Sequence, residues 1–567
     1  MIVSEEKRLS EKEVTRRGYM KYAAAGIVVV AGGAAGAYYA TRPSGPGTTA
    51  TTAITTVPTT PALPPEKKNT LVVGRLFDAV SLDPQWTFEV TAVSINSQVY
   101  DTLVRYDLEK LAEEKYVYAP SLAKSWDVSS DKLEWTFHLR DDAKFYPSGN
   151  PVDAEAVKFT FERSPKLQGP PSFMFGAVKN TEALDNYTVK VTLNYAWGAW
   201  LGFLAGQYAS IIDPTVMEQD VDGDMGSAWL NDHSAGSGPF YMDHWTREKE
   251  FLLLKNPNHW GEPAKVDKVL VLAVPEVSVQ QMMVEKGDID IAVSLTPDQA
   301  QTYEETGRTD VVVKRPLSFW MCLMYMNCNT KPIDDVMVRQ AIKYSIDCDK
   351  ALKEVARGNG RVVQTFLQYG MPYYDEELAD YYKRDVTKAR SLLADAGYSE
   401  GITIPLNIAG GVNASTRWED LALLMKNDMV EAGINLDIRL WDMSALVSQV
   451  FEGKSPGLSF VPNIADWPDP DEYCELTLGP TARGWVNWNP GKQREQEIDA
   501  LWMAARTELD EGKRKELYRQ AALVMLNESP YHILYQPNEL LVMSSHVKGF
   551  VYNSFAFAPM YRYIYKE

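Results

Sequence analysis

Five carboxylates crowd into the stretch IADWPDPDEYCEL, residues 464–476, beside one tryptophan and two prolines. They are Asp466, Asp469, Asp471, Glu472 and Glu475. Such a density could build a metal cage, a catalytic acid pair or a socket for a cationic group. A calcium loop is disfavoured because prolines replace its alternating oxygen ligands and the required glycine is missing. A catalytic carboxylate pair stays open, although Asp beside Pro is also typical of turns.

Several classes of function find no support in the rest of the chain. The net charge of −19, without a dense basic run in the body of the chain, argues against nucleic acid. The six histidines form no HExxH or other metal-ligand spacing, and no complete GxSxG, phosphate-loop or dinucleotide motif occurs. We therefore expect no catalytic residues, no metal and no cofactor. Four scattered cysteines without a CxxC predict free, buried thiols.

The N-terminal sequence predicts a targeting segment followed by a spacer. Residues 1–42 contain the twin-arginine-like run TRRGYMK and then an uncharged, apolar stretch of signal or anchor length. Residues 43–69 are rich in Thr and Pro, which predicts an extended stalk. We expect the remainder to work outside the cytoplasm, at the cell surface, tethered to the membrane through this segment.

Hydrophobic periodicity predicts alternating strands and helices in the body of the chain. Residues 132–140 and 187–193 alternate as half-buried strands. Residues 385–397 and 417–433 each carry an apolar helix face and end in glycine, and INLDIRL follows as a strand from 434. This order indicates layered α/β architecture.

Ordered motifs along the chain resemble those of the family 5 extracellular solute-binding proteins of ABC importers. The most specific block is APSLAKSWDVSSDKLEWTFHLRDDAKFYPSGNPVDAEAVKFTFER at 119–163. GSGPFYMDHWTREKEFLLLKNPNHWG at 236–261, ADWPDPDEY at 465–473 and ELYRQAALVMLNESPYHILYQPN at 516–538 follow in order. The resemblance implies an α/β, two-lobed periplasmic-binding-protein-like fold of class II type, with an additional inserted domain and a ligand cleft between the lobes.

The same resemblance implies a division into units, with the chain crossing between the lobes near Arg315 and Pro537. The units are lobe I from 70–115, 235–315 and 538–567, inserted domain II from 116–234, and lobe III from 316–537.

The resemblance also implies a binding role for the acidic stretch. In peptide-binding members the aspartate at the position of Asp466 holds the ligand's N-terminal ammonium, and Asn463 to Ala465 would offer backbone groups to an extended ligand. A turn-capping Asp466 is the alternative, while Asp469, Asp471 and Glu472 are expected as surface charges or caps. Further candidate ligand contacts are Trp467, Trp320, Trp485, Trp488, Phe88 and Glu89.

The leading hypothesis is a monomeric receptor, not an enzyme, that captures short peptides by hinge closure and delivers them to a separate permease and ATPase. An oligosaccharide is the alternative ligand, because sugars stack on tryptophan. Nickel is less expected, since no histidine lies in a stretch tied to the cleft. A cell-surface hydrolase using residues 466–472 is the competing class.

Overall fold

The computed structural model describes residues 69–410, 412–413 and 416–567. The predicted signal or anchor segment, and all of the predicted stalk except Asn69, lie outside these residues. None of the helices in the described part of the chain is long and apolar enough to cross a membrane.

Three larger sheets organise the described chain. The seven-stranded sheet has the order Val311–Lys314, Leu541–Ser544, Ile291–Ala292, Thr70–Arg75, Lys268–Ala273, Glu250–Lys255, Phe240–Thr246. The five-stranded sheet has the order Ile434–Trp441, Ile402–Ala409, Leu458–Phe460, Leu323–Met326, Tyr531–Ile533. The antiparallel four-stranded sheet has the order Ala123–Val128, Glu134–Leu139, Thr188–Leu193, Val178–Asp185.

Short strand pairs and helices complete the layers. The pairs are Val104–Tyr106 with Tyr118–Pro120, Gly360–Arg361 with Gln536–Pro537, Val412–Asn413 with Thr416–Arg417, Val547–Lys548 with Tyr565–Lys566, and Tyr552–Asn553 with Ala558–Pro559. The α-helices are Val90–Val99, Leu108–Ala112, Ala154–Leu167, Trp200–Ala205, Ser227–Leu230, Val277–Lys286, Pro297–Thr306, Val336–Ser345, Cys348–Glu354, Glu376–Ala379, Val386–Asp395, Trp418–Val430, Met443–Phe451, Pro470–Leu478, Pro480–Trp485, Lys492–Thr507 and Glu511–Asn527. Short 3-10 helices are Pro170–Ala177, Gln207–Ala209, Pro214–Gln219 and Tyr561–Tyr563.

The elements expected from periodicity are confirmed. The predicted strands are Glu134–Leu139, Thr188–Leu193 and Ile434–Trp441, and the predicted helices are Val386–Asp395 and Trp418–Val430. Gly397 and Gly433, which follow these helices, have φ values of 89° and 85°. This left-handed backbone is the conformation that favours glycine at a helix end.

The strand Leu323–Met326 shows how helices enclose the five-stranded sheet. All four of its residues are buried. Leu323 and Tyr325 join a hydrophobic cluster with the helices near the acidic stretch, whereas Met324 and Met326 join a second cluster on the opposite face. A strand buried on both faces reads as a continuous apolar run rather than an alternating one.

The chain passes between the seven-stranded and five-stranded sheets twice. Residues 315–322 connect the strand Val311–Lys314 of the first to Leu323–Met326 of the second. Residues 534–540 make the return connection. These connections contain Arg315 and Pro537, the residues near which the crossings are predicted. All strands of each larger sheet belong to one of the three predicted units. The exact boundaries of the units stay a prediction.

The four cysteines are free thiols, as expected. Cys322, Cys348 and Cys474 are buried. Cys328 is half-buried, because it follows the strand end at Met326 and lies beside the Arg339 guanidinium at 3.8 Å.

Candidate functional site

The acidic stretch forms a fixed turn between the strand Leu458–Phe460 and the helix Pro470–Leu478. Asp469 is the N-cap of this helix, since its side chain accepts a hydrogen bond from the backbone N–H of Asp471 at 2.9 Å. Pro470 occupies the first helical position, where no N–H donor is required. The capping role predicted for Asp469 is therefore confirmed.

The residues before the aspartates are held by the strand next to them. The backbone carbonyl of Asn463 accepts from the N–H of Met321 at 2.8 Å, and its side-chain amide donates to the Tyr325 hydroxyl at 3.2 Å. The N–H of Ala465 donates to the Tyr473 hydroxyl at 2.7 Å, and that hydroxyl donates to the Phe319 carbonyl. Since these groups are already paired, the loop presents its aspartates from a rigid backbone.

Two arginines neutralise three of the five carboxylates. Arg514 makes a bidentate pair with Asp469, with two N···O distances of 2.9 Å. Arg506 bonds both Asp471 and Glu475 at 2.8 Å. Asp469 and Asp471 are expected as surface charges or caps. Asp469 is a cap, and the surface alternative is wrong for both, because they are 4% and 0% exposed. Buried carboxylates require such pairing, since an isolated buried charge is costly.

A tryptophan from another part of the chain completes this buried network. The indole N–H of Trp197 donates to Asp471 Oδ2 at 2.9 Å. The ring of Trp197 also meets Trp467 edge-on at 5.4 Å between centroids. Trp467 is buried, packs against Phe203 at 6.3 Å, and its indole nitrogen has no hydrogen-bond partner within the described residues. The predicted contact Trp467 thus joins the turn to the segment around Trp197.

The other two carboxylates, Asp466 and Glu472, have no Lys or Arg partner within the part of the chain that the structure describes. Tyr208 donates its hydroxyl to Asp466 Oδ1 at 2.6 Å, and the backbone N–H of Asp466 donates to Glu472 Oε2 at 2.8 Å. Both side chains are half-buried. They keep part of their surface open, unlike the arginine-paired Asp469 and Asp471.

The pKa values of the two open carboxyl groups are both raised. Burial raises the pKa of Asp466, against the hydrogen bonds from Glu472 and Tyr208. Burial, and after it the negative charge of Asp466, raises the pKa of Glu472 well above its usual range. Two adjacent acids in this setting disfavour the state in which both are ionised, and a nearby positive charge would favour it. Such a pair suits one monovalent cation with N–H donors.

Aromatic rings border Asp466 on the side of Tyr208. The ring of Phe88 lies 5.2 Å from that of Tyr208 and 6.0 Å from that of Phe173. Phe88, a predicted contact, is half-buried. Its ring contacts Tyr208, which donates a hydrogen bond to Asp466. Its neighbour Glu89 is instead 1% exposed and caps the helix Val90–Val99 by accepting from the N–H groups of Thr91 and Ala92.

The remaining predicted tryptophans are placed elsewhere. Trp320 is half-buried and donates its indole N–H to Glu539 Oε1 at 2.8 Å. Trp485 and Trp488 are buried in the hydrophobic cluster around the five-stranded sheet, where Trp485 lies 4.5 Å from the ring of Phe451. The structure does not bring Trp485 or Trp488 to the open carboxylates, since their rings are covered by core side chains.

Tyr208, Arg506 and Arg514 are the functional or supporting residues that sequence reasoning missed. Tyr208 is 258 residues from Asp466 along the chain, and the two arginines lie 35 and 45 residues from the aspartates they bind. No local motif marks such partners. The one available signal is an excess of acids over bases within 464–476, which demands counter-charges if the stretch is buried.

A metal centre finds no support in the described residues. Among residues 69–410, 412–413 and 416–567, no three His, Cys, Asp or Glu side chains gather in a way that could hold a metal ion. The chemistry that the open pair can perform is recognition of a cation by charge-assisted hydrogen bonds.

Comparison with known proteins adds the context for this site. The family described as bacterial extracellular solute-binding proteins, family 5, matches residues 117–485. A probable D,D-dipeptide-binding periplasmic protein of Escherichia coli is 30% identical over 488 residues, covering 86% of this chain and 92% of that protein. Heme-binding protein A of Haemophilus influenzae is 26% identical over 519 residues, covering 87% and 92%.

A solved structure supplies the fold-level comparison. The ABC transporter-associated periplasmic binding protein of Helicobacter pylori, in complex with the peptide STSA, matches with a TM-score of 0.74. The two chains are 24% identical, and the match covers 88% of this chain and 98% of the other. The predicted α/β, two-lobed periplasmic-binding-protein-like fold is thereby confirmed.

Proposed function

Because the chain belongs to family 5 of the bacterial extracellular solute-binding proteins, we propose that it captures short peptides outside the cytoplasm and delivers them to an ABC importer. The observation that carries the ligand class is the open pair Asp466 and Glu472. Every other carboxylate of the acidic stretch is neutralised by an arginine, whereas this pair keeps a negative charge for a ligand. A peptide's N-terminal ammonium has the matching charge and three N–H donors.

In this proposal Asp466 is the anchor and Tyr208 sets its orientation. The Tyr208 hydroxyl occupies one lone pair of Oδ1 and leaves the rest of the carboxylate for the ammonium. When the ammonium binds, its positive charge lowers the pKa of both carboxyl groups and so favours their ionised forms. Phe88 lies next to Tyr208 and would contact the first side chain of the peptide.

The architecture supports capture by hinge closure. The contacts of Tyr208 with Asp466 and of Trp197 with Asp471 join proposed domain II to proposed lobe III. Opening would separate these partners, and closure would re-form them around the ligand. A separate permease and ATPase, a monomeric state, and tethering through the N-terminal segment belong to the same proposal.

The two alternatives lose their main arguments. An oligosaccharide ligand rested on tryptophans as stacking surfaces, yet Trp485 and Trp488 are covered by the core. A hydrolase would use the acidic loop at 466–472, in which Asp469 and Asp471 are held by buried arginines, so Asp466 and Glu472 are its remaining candidate acids. Those pairings leave neither Asp469 nor Asp471 placed to give or take a proton from a substrate.

Isothermal titration calorimetry on the full-length chain tests the proposal. The ligands are L,L- and D,D-dipeptides, each with its N-acetylated form, and the variants are Asp466→Asn and the control Asp141→Asn, whose carboxylate is exposed. Truncating one partner of a buried charge pair costs about 2–5 kcal/mol, or roughly 30- to 4,000-fold in affinity. We expect that loss in Asp466→Asn and on N-acetylation, with Asp141→Asn unchanged. Equal affinity for free and acetylated dipeptides would overturn the ammonium anchor.

A further inference from the structure

A cavity of ≈ 90 Å³ is lined by residues outside the acidic stretch. Its lining comes from 97–111, 205–210 and 553–562, together with Ser121, Pro239 and Trp260. No lining residue comes from 316–537, the segment that contains Asp466. The cavity therefore has its own lining, although Gly206 places it next to the backbone of Asp466. It has room for a few waters or a small ion.

Two arginines face this cavity without a direct ion pair, although the charge of Arg562 helps to lower the pKa of Asp101. Neither Arg105 nor Arg562 makes an ion pair or a hydrogen bond with a carboxylate in the part of the chain described. The Nε atoms of both are buried and have no hydrogen-bond partner there, and Arg562 is only 7% exposed. The Arg562 guanidinium lies 4.6 Å from the ring centroid of Tyr563, which fixes its plane. Buried guanidinium groups normally carry a carboxylate or phosphate partner, since burial of an unpaired charge is costly.

A buried amide also lacks partners at this cavity. Gln207 is 5% exposed, and neither its Oε1 nor its Nε2 has a hydrogen-bond partner in the described chain. Buried side-chain amides are ordinarily satisfied. The Gln207 side chain lies close enough to Tyr208 to lower the pKa of that hydroxyl. Its Nε2 makes no hydrogen bond in the described chain and can donate to an acceptor in the cavity, alongside the two guanidinium groups.

The one carboxylate that lines the cavity is already committed. Asp101 Oδ2 accepts from the Trp260 indole N–H at 2.7 Å and from the Ser237 hydroxyl at 2.9 Å, and lies 3.7 Å from His259 Nε2. Two arginines against one carboxylate leave the cavity with a positive excess. The charge is opposite to that of the Asp466 and Glu472 pair.

We propose that this cavity binds a small oxyanion, a carboxylate or a phosphate group, between Arg105 and Arg562, with Gln207 as a third donor. The planar guanidinium fork matches both groups by paired N–H···O bonds. Because Gln207 and Tyr208 are consecutive, one short segment carries both the oxyanion donor and the tyrosine that orients Asp466. The site is distinct from the peptide anchor and does not depend on the identity of the main ligand.

Calorimetric titration of the full-length chain with inorganic phosphate, with acetate and with chloride tests this proposal. The variants are Arg105→Gln, Arg562→Lys and the control Arg247→Gln. Arg247 also lies over an aromatic ring, that of Trp245 at 3.4 Å, but it does not line the cavity. Loss of a charge-assisted hydrogen bond is expected to weaken oxyanion affinity about 10-fold or more in Arg105→Gln, with a smaller loss in Arg562→Lys and none in Arg247→Gln.

The outcomes separate the sources of the oxyanion. Saturable binding of phosphate but not acetate assigns the site to phosphate groups, and the reverse assigns it to carboxylates. Absence of saturable binding of both, chloride binding as tightly as either, or unchanged affinity in Arg105→Gln would overturn the proposal. Arg105 is half-buried, so its variant is expected to fold. Oxyanion binding that persists in Asp466→Asn keeps this test separate from that of the peptide anchor.

Discussion

The two halves of the acidic stretch differ in what neutralises them. Asp469, Asp471 and Glu475, the closed half, form ion pairs with Arg514 and Arg506, and these pairs stabilise the packing of three helices. Asp466 and Glu472, the open half, lie only a few residues away. Asp466 accepts a hydrogen bond from a tyrosine hydroxyl, and its negative charge raises the pKa of Glu472. Carboxylate density by itself therefore does not identify a binding site. The carboxylates available to a ligand are those whose counter-charge the chain does not supply.

The largest effect is expected on the closed half. Arg506→Met leaves the buried Asp471 without its cation, and breaking a buried pair costs about 3–5 kcal/mol of folding free energy. Chemical denaturation with a fluorescence readout measures this loss. Arg494→Met is the matched control, since Arg494 also bonds two carboxylates, Glu528 and Glu497, but its side chain is 36% exposed.

The control is expected to lose less than about 1 kcal/mol, because exposed pairs contribute little. The double variant Arg506→Met with Asp471→Asn should recover part of the loss, since one unpaired charge disappears. Equal losses in Arg506→Met and Arg494→Met would show that the closed half is solvated, contrary to the comparison.

A pH effect of intermediate size is expected on the open half. The folded-state pKa of Glu472 is raised above its unfolded value, so the folded state binds the proton more tightly. The unliganded protein should therefore gain stability as pH falls through the raised pKa toward about 4.5, and Glu472→Gln should reduce this gain. Thermal unfolding of both proteins between pH 8 and pH 5 measures the difference.

Peptide affinity should move the other way over the same pH range. An ammonium binds the ionised pair, so protonation competes with the peptide and affinity falls as pH falls. Glu89, whose pKa burial raises to about 7, adds to the stability gain but is not expected to add to the affinity change, because its carboxylate caps the helix Val90–Val99. The variant Glu89→Gln separates the two contributions. A wild-type stability that falls over this range, with Glu472→Gln behaving identically, would contradict the raised pKa.

The smallest effect is expected for Tyr208→Phe. The change removes one hydroxyl from Asp466 and keeps the ring that packs on Phe88. Net loss of such a hydrogen bond is about 0.5–1.5 kcal/mol, which is roughly 2- to 13-fold in peptide affinity. Calorimetry with the dipeptide that binds the wild type provides the measurement, and Tyr187→Phe, at a half-buried tyrosine of the four-stranded sheet region, is the control. A larger loss than in Asp466→Asn would move the anchor from the carboxylate to the tyrosine.

Local patterns predicted much of the fold. The strand Glu134–Leu139 and the helix Trp418–Val430 follow from periodicity and a terminal glycine, because those signals act over a few residues. The cap at Asp469 was likewise local. The fate of Asp471 was not, since the same Asp-Pro-Asp sequence fits an exposed turn or a buried one. Burial is decided by which helix packs on the turn, and Arg506 and Trp197 arrive from distant segments.

The candidate site was predicted in part for the same reason. The position of Asp466 rests on an ordered resemblance along the whole chain, whereas Tyr208 and the role of Glu472 depend on tertiary contact. Trp485 and Trp488 are close to Asp466 in sequence, yet the helix Pro480–Trp485 turns their rings into the core. Proximity along the chain does not measure proximity in the fold.

A crystal structure of the full-length chain with a bound dipeptide would show directly whether Asp466 binds the ligand's ammonium group. We expect the peptide's ammonium nitrogen within about 3 Å of the Asp466 carboxylate, with Asp469 and Asp471 still paired to Arg514 and Arg506. An ammonium bound elsewhere, or a dipeptide that displaces Arg514 from Asp469, would contradict it.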